Sequence, residues 1–153
     1  MANQTTKNMI VGAPIETVYG IWSNFENFPH FMHNIKEVTV AADKKMSHWV
    51  MSGPLGVPVE WDAETTRMEE NTRIAWNSRD NSALKTSGQV TFNALPNHQT
   101  EITVMLQYDP PAGVLGEAVA KLFTNPEKDL EEDLQNFKRY AETLAGARSK
   151  TAG

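Results

Sequence analysis

Apolar and polar positions alternate along this chain with two different periods, and the change of period divides it into a helical opening, a long run of strands and a helical end. At the C-terminal end Leu130, Leu134, Phe137, Ala141 and Leu144 recur at steps of four, three, four and three, which is one face of a helix with a period near 3.6. Charged and amide residues fill the other positions. Asn125 as a capping side chain, Pro126 at the first helical position, and Glu127 and Asp129 in the first turn mark its start, and Gly146 is the predicted stop. A helix of roughly 20 residues with one apolar stripe requires a complementary apolar surface.

The N-terminal segment Gln4 to Val11 predicts a first strand, closed by Gly12. Pro14 then opens a short helix in which Ile15, Val18, Tyr19 and Trp22 fall at i, i+3, i+4 and i+7. The next twelve residues, Ser23 to Asn34, hold Phe25, Phe28, Phe31 and Pro29, a composition that predicts a helical turn tucked beneath another element. From Ile35 the period becomes two. Val38 and Val40 lead to a turn at Asp43 and Lys44, followed by a strand over Met46 to Met51. Two glycines and two prolines between Ser52 and Pro58 break the pattern. Val57, Val59, Trp61 and Ala63 then alternate with Pro58, Glu60, Asp62 and Glu64; Ile74 and Trp76 mark a strand over Thr72 to Ser78; Gly88, Val90 and Phe92 mark another. In the clearest strand Ile102, Val104, Leu106 and Tyr108 alternate with polar neighbours. Pro110 and Pro111 end it, and Ala112 to Phe123 has the spacing of a second amphipathic helix. Strands joined by short turns and bracketed by helices predict an α+β domain with an antiparallel meander. We expect one domain over residues 1–147 and a flexible tail over 148–153.

Composition narrows the functional classes. The 153-residue chain has no cysteine, which removes disulfides, thiolate metal sites and cysteine nucleophiles. A net charge of −5 argues against DNA and other nucleic-acid partners. Met1 to Lys7 is polar with no charged-then-apolar leader after it, and no apolar run has the length of a membrane span. A cytoplasmic protein with no integral membrane segment is expected.

Candidate chemistry is sparse. Glu60, Asp62 and Glu64 share a strand face, but Val59 and Trp61 on the opposite face favour a solvated outer surface over an acid/base site. His30 and His33 are three apart, and neither His48 nor His98 completes a ligand set with them, so no metal and no cofactor are predicted. G-x-S-x-G and G-x-G-x-x-G patterns are missing. What converges is large and apolar. Trp61, Trp76, Phe92 and Tyr108 share inward parity on four strands, Leu130, Leu134 and Phe137 lie on the helix that must cover them, and Trp49 is a further candidate whose side the pattern leaves open. Periodicity alone favours a filled core over a pocket.

The opening I-V-G-A-P-I-E-T-V-Y-G-I-W-S-N-F-E-N-F-P-H-F-M, the segment G-P-L-G-V-P-V-E-W-D-A-E, the I-A-W of Ile74 to Trp76, and L-F-x-x-P-E-x-x-L-x-x-D-L-x-x-F-K from Leu122 to Lys138 resemble the START-like superfamily known as SRPBCC, in its polyketide cyclase/dehydrase-like branch. The resemblance spans Thr5 to Leu144 and implies a helix-grip fold, with about seven curved antiparallel strands around the long C-terminal helix and an apolar cavity between them. It places a mouth or lid at Tyr108 to Phe123, with the turns at Phe25 to Met32 closing one end.

Three functions follow. The first is binding or carriage of a hydrophobic small molecule, such as a lipid, quinone or polyketide, by Trp49, Trp61, Trp76, Phe92, Tyr108, Leu130, Leu134 and Phe137. The second is an aromatase/cyclase enzyme, for which Tyr19, His33, His48 and Tyr108 are the candidate acids and bases, each more readily explained as a packed or surface residue. The third is an interaction protein with ribosomal or respiratory-chain partners, which the acidic balance does not favour. Without a catalytic constellation the residues favour a binder over an enzyme. Ligand identity and oligomeric state are not encoded in any pattern found.

Overall fold

The computed structural model of the chain describes residues 3–52, 58–79, 85–109 and 126–152. Seven strands are present among them: β1 (Asn3–Val11), β2 (Ile35–Val40), β3 (Met46–Met51), β4 (Val59–Glu69), β5 (Arg73–Ser78), β6 (Lys85–Leu95) and β7 (Gln99–Asp109). They form one antiparallel sheet in the order β1-β7-β6-β5-β4-β3-β2. β2 to β7 are therefore a meander, and β1 closes against the last strand. The chain crosses from one sheet edge to the other between β1 and β2, carrying with it helix α1 (Ile15–Trp22) and a 3₁₀ helix (Phe25–His30). The long helix α2 (Pro126–Ala152) completes the helix-grip fold.

Short hairpins are possible because their turns hold residues that accept left-handed backbone. Asn71 and Asn97 have φ of 57° and 63°, a region that asparagine tolerates well. Register slips at Ile35/Glu37 and at Thr65/Arg67 bend the sheet. Up to Ala63 strand β4 alternates strictly between buried and exposed; past Thr65 the alternation stops, since that end extends beyond the covered face. This is why the strand runs five residues further than its apolar pattern indicates.

Helix α2 buries Leu130, Leu134, Phe137 and Ala141, the predicted stripe, against the inner face of the sheet. It does not stop at Gly146 but continues to Ala152. A single glycine in a long helix weakens it by about 1 kcal/mol and does not by itself terminate it. The predicted helix at Ala112 to Phe123 lies outside the described residues, as does the capping Asn125.

The 3₁₀ helix fills one end of the space between sheet and helix. Phe28 and Phe31 pack against Trp22, Trp22 meets Phe137 edge-on at 4.8 Å, and Phe28 meets Trp49 edge-on at 5.2 Å. Three phenylalanines in seven residues are thus wedged between the helices and the sheet. At the other side, the Gly12 amide donates to Glu142 Oε2 at 2.7 Å, and Lys138 also bonds that carboxylate, which ties the end of β1 to α2.

Candidate functional site

Strand alternation turns Trp49 on β3 and Trp61 on β4 to the inner face, directly opposite each other in register. Their rings lie nearly parallel, with centroids 6.0 Å apart and 9° between planes. The Trp49 indole N–H is satisfied by Ser47 Oγ at 2.8 Å, so both rings present apolar surface. Further along the sheet a row crosses four strands: Trp76 pairs with Gly88, Gly88 with Leu106, and Leu106 with Thr5. Gly88 is needed in that row because a Cβ there would stand 2.6 Å from Trp76 Cζ2 and 2.9 Å from Leu106 Cδ2. The missing side chain lets the indole lie flat across the strand.

Leu130 and Asp133 of α2 and Phe28 of the 3₁₀ helix face this surface and leave a cavity of about 150 Å³. Its wall is mainly aromatic and aliphatic. Thr5, Thr86, Asn34, Asp129 and Asp133 provide polar atoms, and among the described residues neither Lys nor Arg borders it.

One part of the wall carries a proton-holding pair. His33 follows the 3₁₀ helix, and its Nδ1 lies 2.6 Å from Oδ1 of Asp133, which also accepts the His33 backbone N–H at 3.3 Å. Burial pushes the Asp133 carboxyl up, and His33 offsets this only partly. Burial alone would lower the imidazole, but the bond to Asp133 and the negative charges of Asp133, Asp129 and Glu132 outweigh it, so His33 is raised. Both shifts favour the protonated forms, at the edge of an apolar space. Thr5 forms another polar point: it is buried, and its hydroxyl has no hydrogen-bond partner among the described residues.

Of the residues expected to face a ligand, Trp49, Trp61, Trp76 and Leu130 border the cavity. Phe92, Leu134 and Phe137 do not. Phe137 is fully buried against Trp22 and Phe31, and Phe92 packs edge-on against Tyr19 at 5.4 Å near α1. Leu134 borders a separate groove with Thr6 to Met9 of β1. The backbone of Tyr108 pairs with Asn3 and Thr86, and its side chain lies outside the described residues.

The acid/base candidates separate in the same way. His48 is not in the pocket: with Trp49 inward, its neighbour must point outward, and its ring is held between Glu60 at 2.9 Å and Asp62 at 2.7 Å on the outer face. Glu60, Asp62 and Glu64 are exposed there. Tyr19 borders a larger groove of about 830 Å³ whose walls, including Lys44, Lys45, Arg67 and Met68, are mostly exposed; burial first and Glu70 second raise its hydroxyl. That groove is larger than the cavity. Of the candidates with described side chains, only His33 adjoins the cavity, through Asp133.

All five polar wall residues escaped sequence reasoning, and two of them had a usable signal. Asp133 stands three residues after Leu130 and four before Phe137, so a carboxylate on the buried stripe was the available signal. Thr5 has the parity of Val11 on β1, which turns it inward. Among the described residues no group of three or more His, Asp or Glu side chains is placed to hold a metal ion, and no helix is long and apolar enough to cross a membrane.

Residues 11–135 match the family model for polyketide cyclase/dehydrase and lipid transport. The chain belongs to this family. An uncharacterized 17.2 kDa protein of Streptomyces lincolnensis, from the melC2-rnhH intergenic region, is 30% identical over 140 residues, 92% of this chain and 90% of the relative. A crystal structure from Deinococcus radiodurans superposes with a TM-score of 0.74 at 33% identity, covering 92% of this chain and 98% of the other. The Zhui aromatase/cyclase from Streptomyces sp. R1128 superposes with a TM-score of 0.76 at 14% identity, covering 93% and 94%, a likeness of fold alone. Family and fold agree with the curled seven-stranded sheet and long C-terminal helix.

Proposed function

We propose that this member of the family binds and carries a hydrophobic small molecule in the cavity between the sheet and α2. The observation that carries this reading is the joint orientation of Trp49, Trp61, Trp76, Phe28 and Leu130 toward one unfilled space. Elsewhere in the molecule aromatic rings fill the gaps between one another, so an apolar gap at this position supports a ligand site. A family described by polyketide chemistry and lipid transport supports a hydrophobic ligand.

Native mass spectrometry of the purified protein, followed by uptake from a panel of apolar compounds, tests the reading. A stoichiometric adduct that Trp61→Ala weakens is the expected result. An apo mass with no uptake, in protein shown to be folded by circular dichroism, would overturn it.

The His33–Asp133 pair favours a second reading, proton transfer to or from a bound ligand in a cyclase- or dehydrase-type reaction. Under it, His33→Gln abolishes turnover and leaves ligand binding intact. Loss of binding and turnover together would assign the pair a structural role.

A further inference from the structure

The cavity's size and the placement of its polar atoms say more about its ligand, on the condition that it is a ligand site. An apolar cavity of about 150 Å³ is the size that accommodates one benzene ring. This cavity has the same volume, so one ring fills it, and three fused rings or a long acyl chain would extend beyond these walls. Among its polar atoms, the Thr86 hydroxyl is occupied, donating to the Gln107 carbonyl at 3.0 Å. The Thr5 hydroxyl has no partner among the described residues; its oxygen is itself buried in a residue only 4% exposed that borders the cavity, and it reaches the cavity by rotation about Cα–Cβ. A buried hydroxyl without a partner destabilises the fold, a cost that a ligand with a complementary group removes.

Charge narrows the class further. Asp129 and Asp133 border the cavity, with neither Lys nor Arg among the described residues on its wall. A carboxylate ligand would meet the Asp129 carboxylate with neither Lys nor Arg of the described wall to balance it, while Asp133 is already paired with His33. A neutral hydroxyl can both accept a hydrogen bond from Thr5 and donate one to an acidic wall. We propose that the cavity selects a single-ring phenol, its ring against Trp49, Trp61 and Trp76 and its oxygen at Thr5.

Isothermal titration of the full chain with p-cresol, toluene, benzoate and a three-ring anthraquinone tests this, using wild type, Thr5→Val and Thr5→Ser. Wild type is expected to bind p-cresol at one site, about three- to tenfold more tightly than toluene, the range of one neutral hydrogen bond, and to bind benzoate more weakly than either. Thr5→Val removes the preference and Thr5→Ser retains it. Because the valine deletes an unpartnered hydroxyl at similar volume, apo Thr5→Val should also melt at or above the wild-type midpoint; a lower midpoint means that the hydroxyl serves the protein itself and overturns the assignment. Equal affinity for toluene and p-cresol in wild type, or a preference that survives Thr5→Val, overturns the phenol. Binding of anthraquinone without the single rings overturns the size limit and leaves the carrier reading standing. Uptake of nothing in the panel by protein that also purifies as a clean apo mass removes both.

Discussion

Gly88 gives the most direct handle on the cavity. Alanine there would place Cβ 2.6 Å from Trp76 Cζ2, 2.9 Å from Leu106 Cδ2 and 3.0 Å from the Met105 carbonyl oxygen. Carbon atoms in contact prefer about 3.5–4.0 Å, so the indole must retreat by about 1 Å. Leu106 can yield by rotation. The Met105 carbonyl belongs to the β6–β7 ladder and cannot, and Phe25 stands against Trp76 with centroids 6.0 Å apart. The direction left for the indole is the space that it lines. Overpacking of this kind costs about 1–3 kcal/mol, set against about 0.4–1 kcal/mol gained by restricting the unfolded chain, for a net loss of about 1–2 kcal/mol. Urea unfolding followed by tryptophan fluorescence measures the loss, and titration with a single-ring ligand measures the narrowing. A variant with unchanged urea midpoint and unchanged ligand affinity would refute the argument, since it would mean that the strand relaxes without moving Trp76.

Other residues give independent checks. Phe137→Ala, at a fully buried position between Trp22 and Phe31, should lose about 3–5 kcal/mol in urea unfolding; a loss below about 1 kcal/mol would remove Phe137 from the filled core. The bonds from Glu60, then Asp62, raise the His48 imidazole above its ordinary 6.5. Its contribution is therefore fully present below pH 6.5 and fades as pH rises through the raised value. The three side chains are half exposed, so only about 0.2–1 kcal/mol is involved, and the stability difference between wild type and His48→Gln should shrink from pH 6 to pH 9; a difference that grows would reverse the assignment. Burial would raise Glu142, but Lys138 and the Gly12 amide hold its carboxyl below the usual value of 4.5. Its contribution is present above pH 4.5 and is lost as pH falls through the lowered value, so Glu142→Gln should flatten that part of the acid limb in a pH series of thermal melts.

Sidedness was legible in the sequence because it follows from backbone geometry. The alternation of Val59, Trp61 and Ala63 with Glu60, Asp62 and Glu64 assigns each to a face, and the structure keeps every assignment. Trp49 had no such guide: its neighbours Met46 to Met51 are apolar or ambiguous at both parities, and its pairing with Trp61 decides its side. The side of His48 follows from that of Trp49, since adjacent strand residues point to opposite faces. Depth was not legible. Trp76 and Phe92 lie on inner faces, as do Leu130 and Phe137 on the covered stripe, yet in each pair only the first borders the cavity. Periodicity gives the side on which a residue lies and carries no information about which end of the grip it occupies. Asp133 and Thr5 were lost for a related reason, since one polar residue on an apolar face does not change the period.

Depth is set instead by the crossing segment between β1 and β2. Its 3₁₀ helix and the residue that follows it insert Phe25, Phe28 and Phe31 where α1 and the middle of α2 approach the sheet, and Trp22 and Phe137 complete the filling there. Nearer the start of α2 the helix offers Leu130 and the shorter Asp133, and no comparable aromatic wedge reaches that far among the described residues. Phe28 belongs to both regions: it contacts Trp22, Phe25, Phe31 and Trp49 and also borders the cavity. It is the partition between the packed half and the open half of the grip. The sheet and α2 can therefore remain as they are while substitutions along this short crossing segment move the partition, which gives the fold a way to change cavity size without altering the elements that stabilise it.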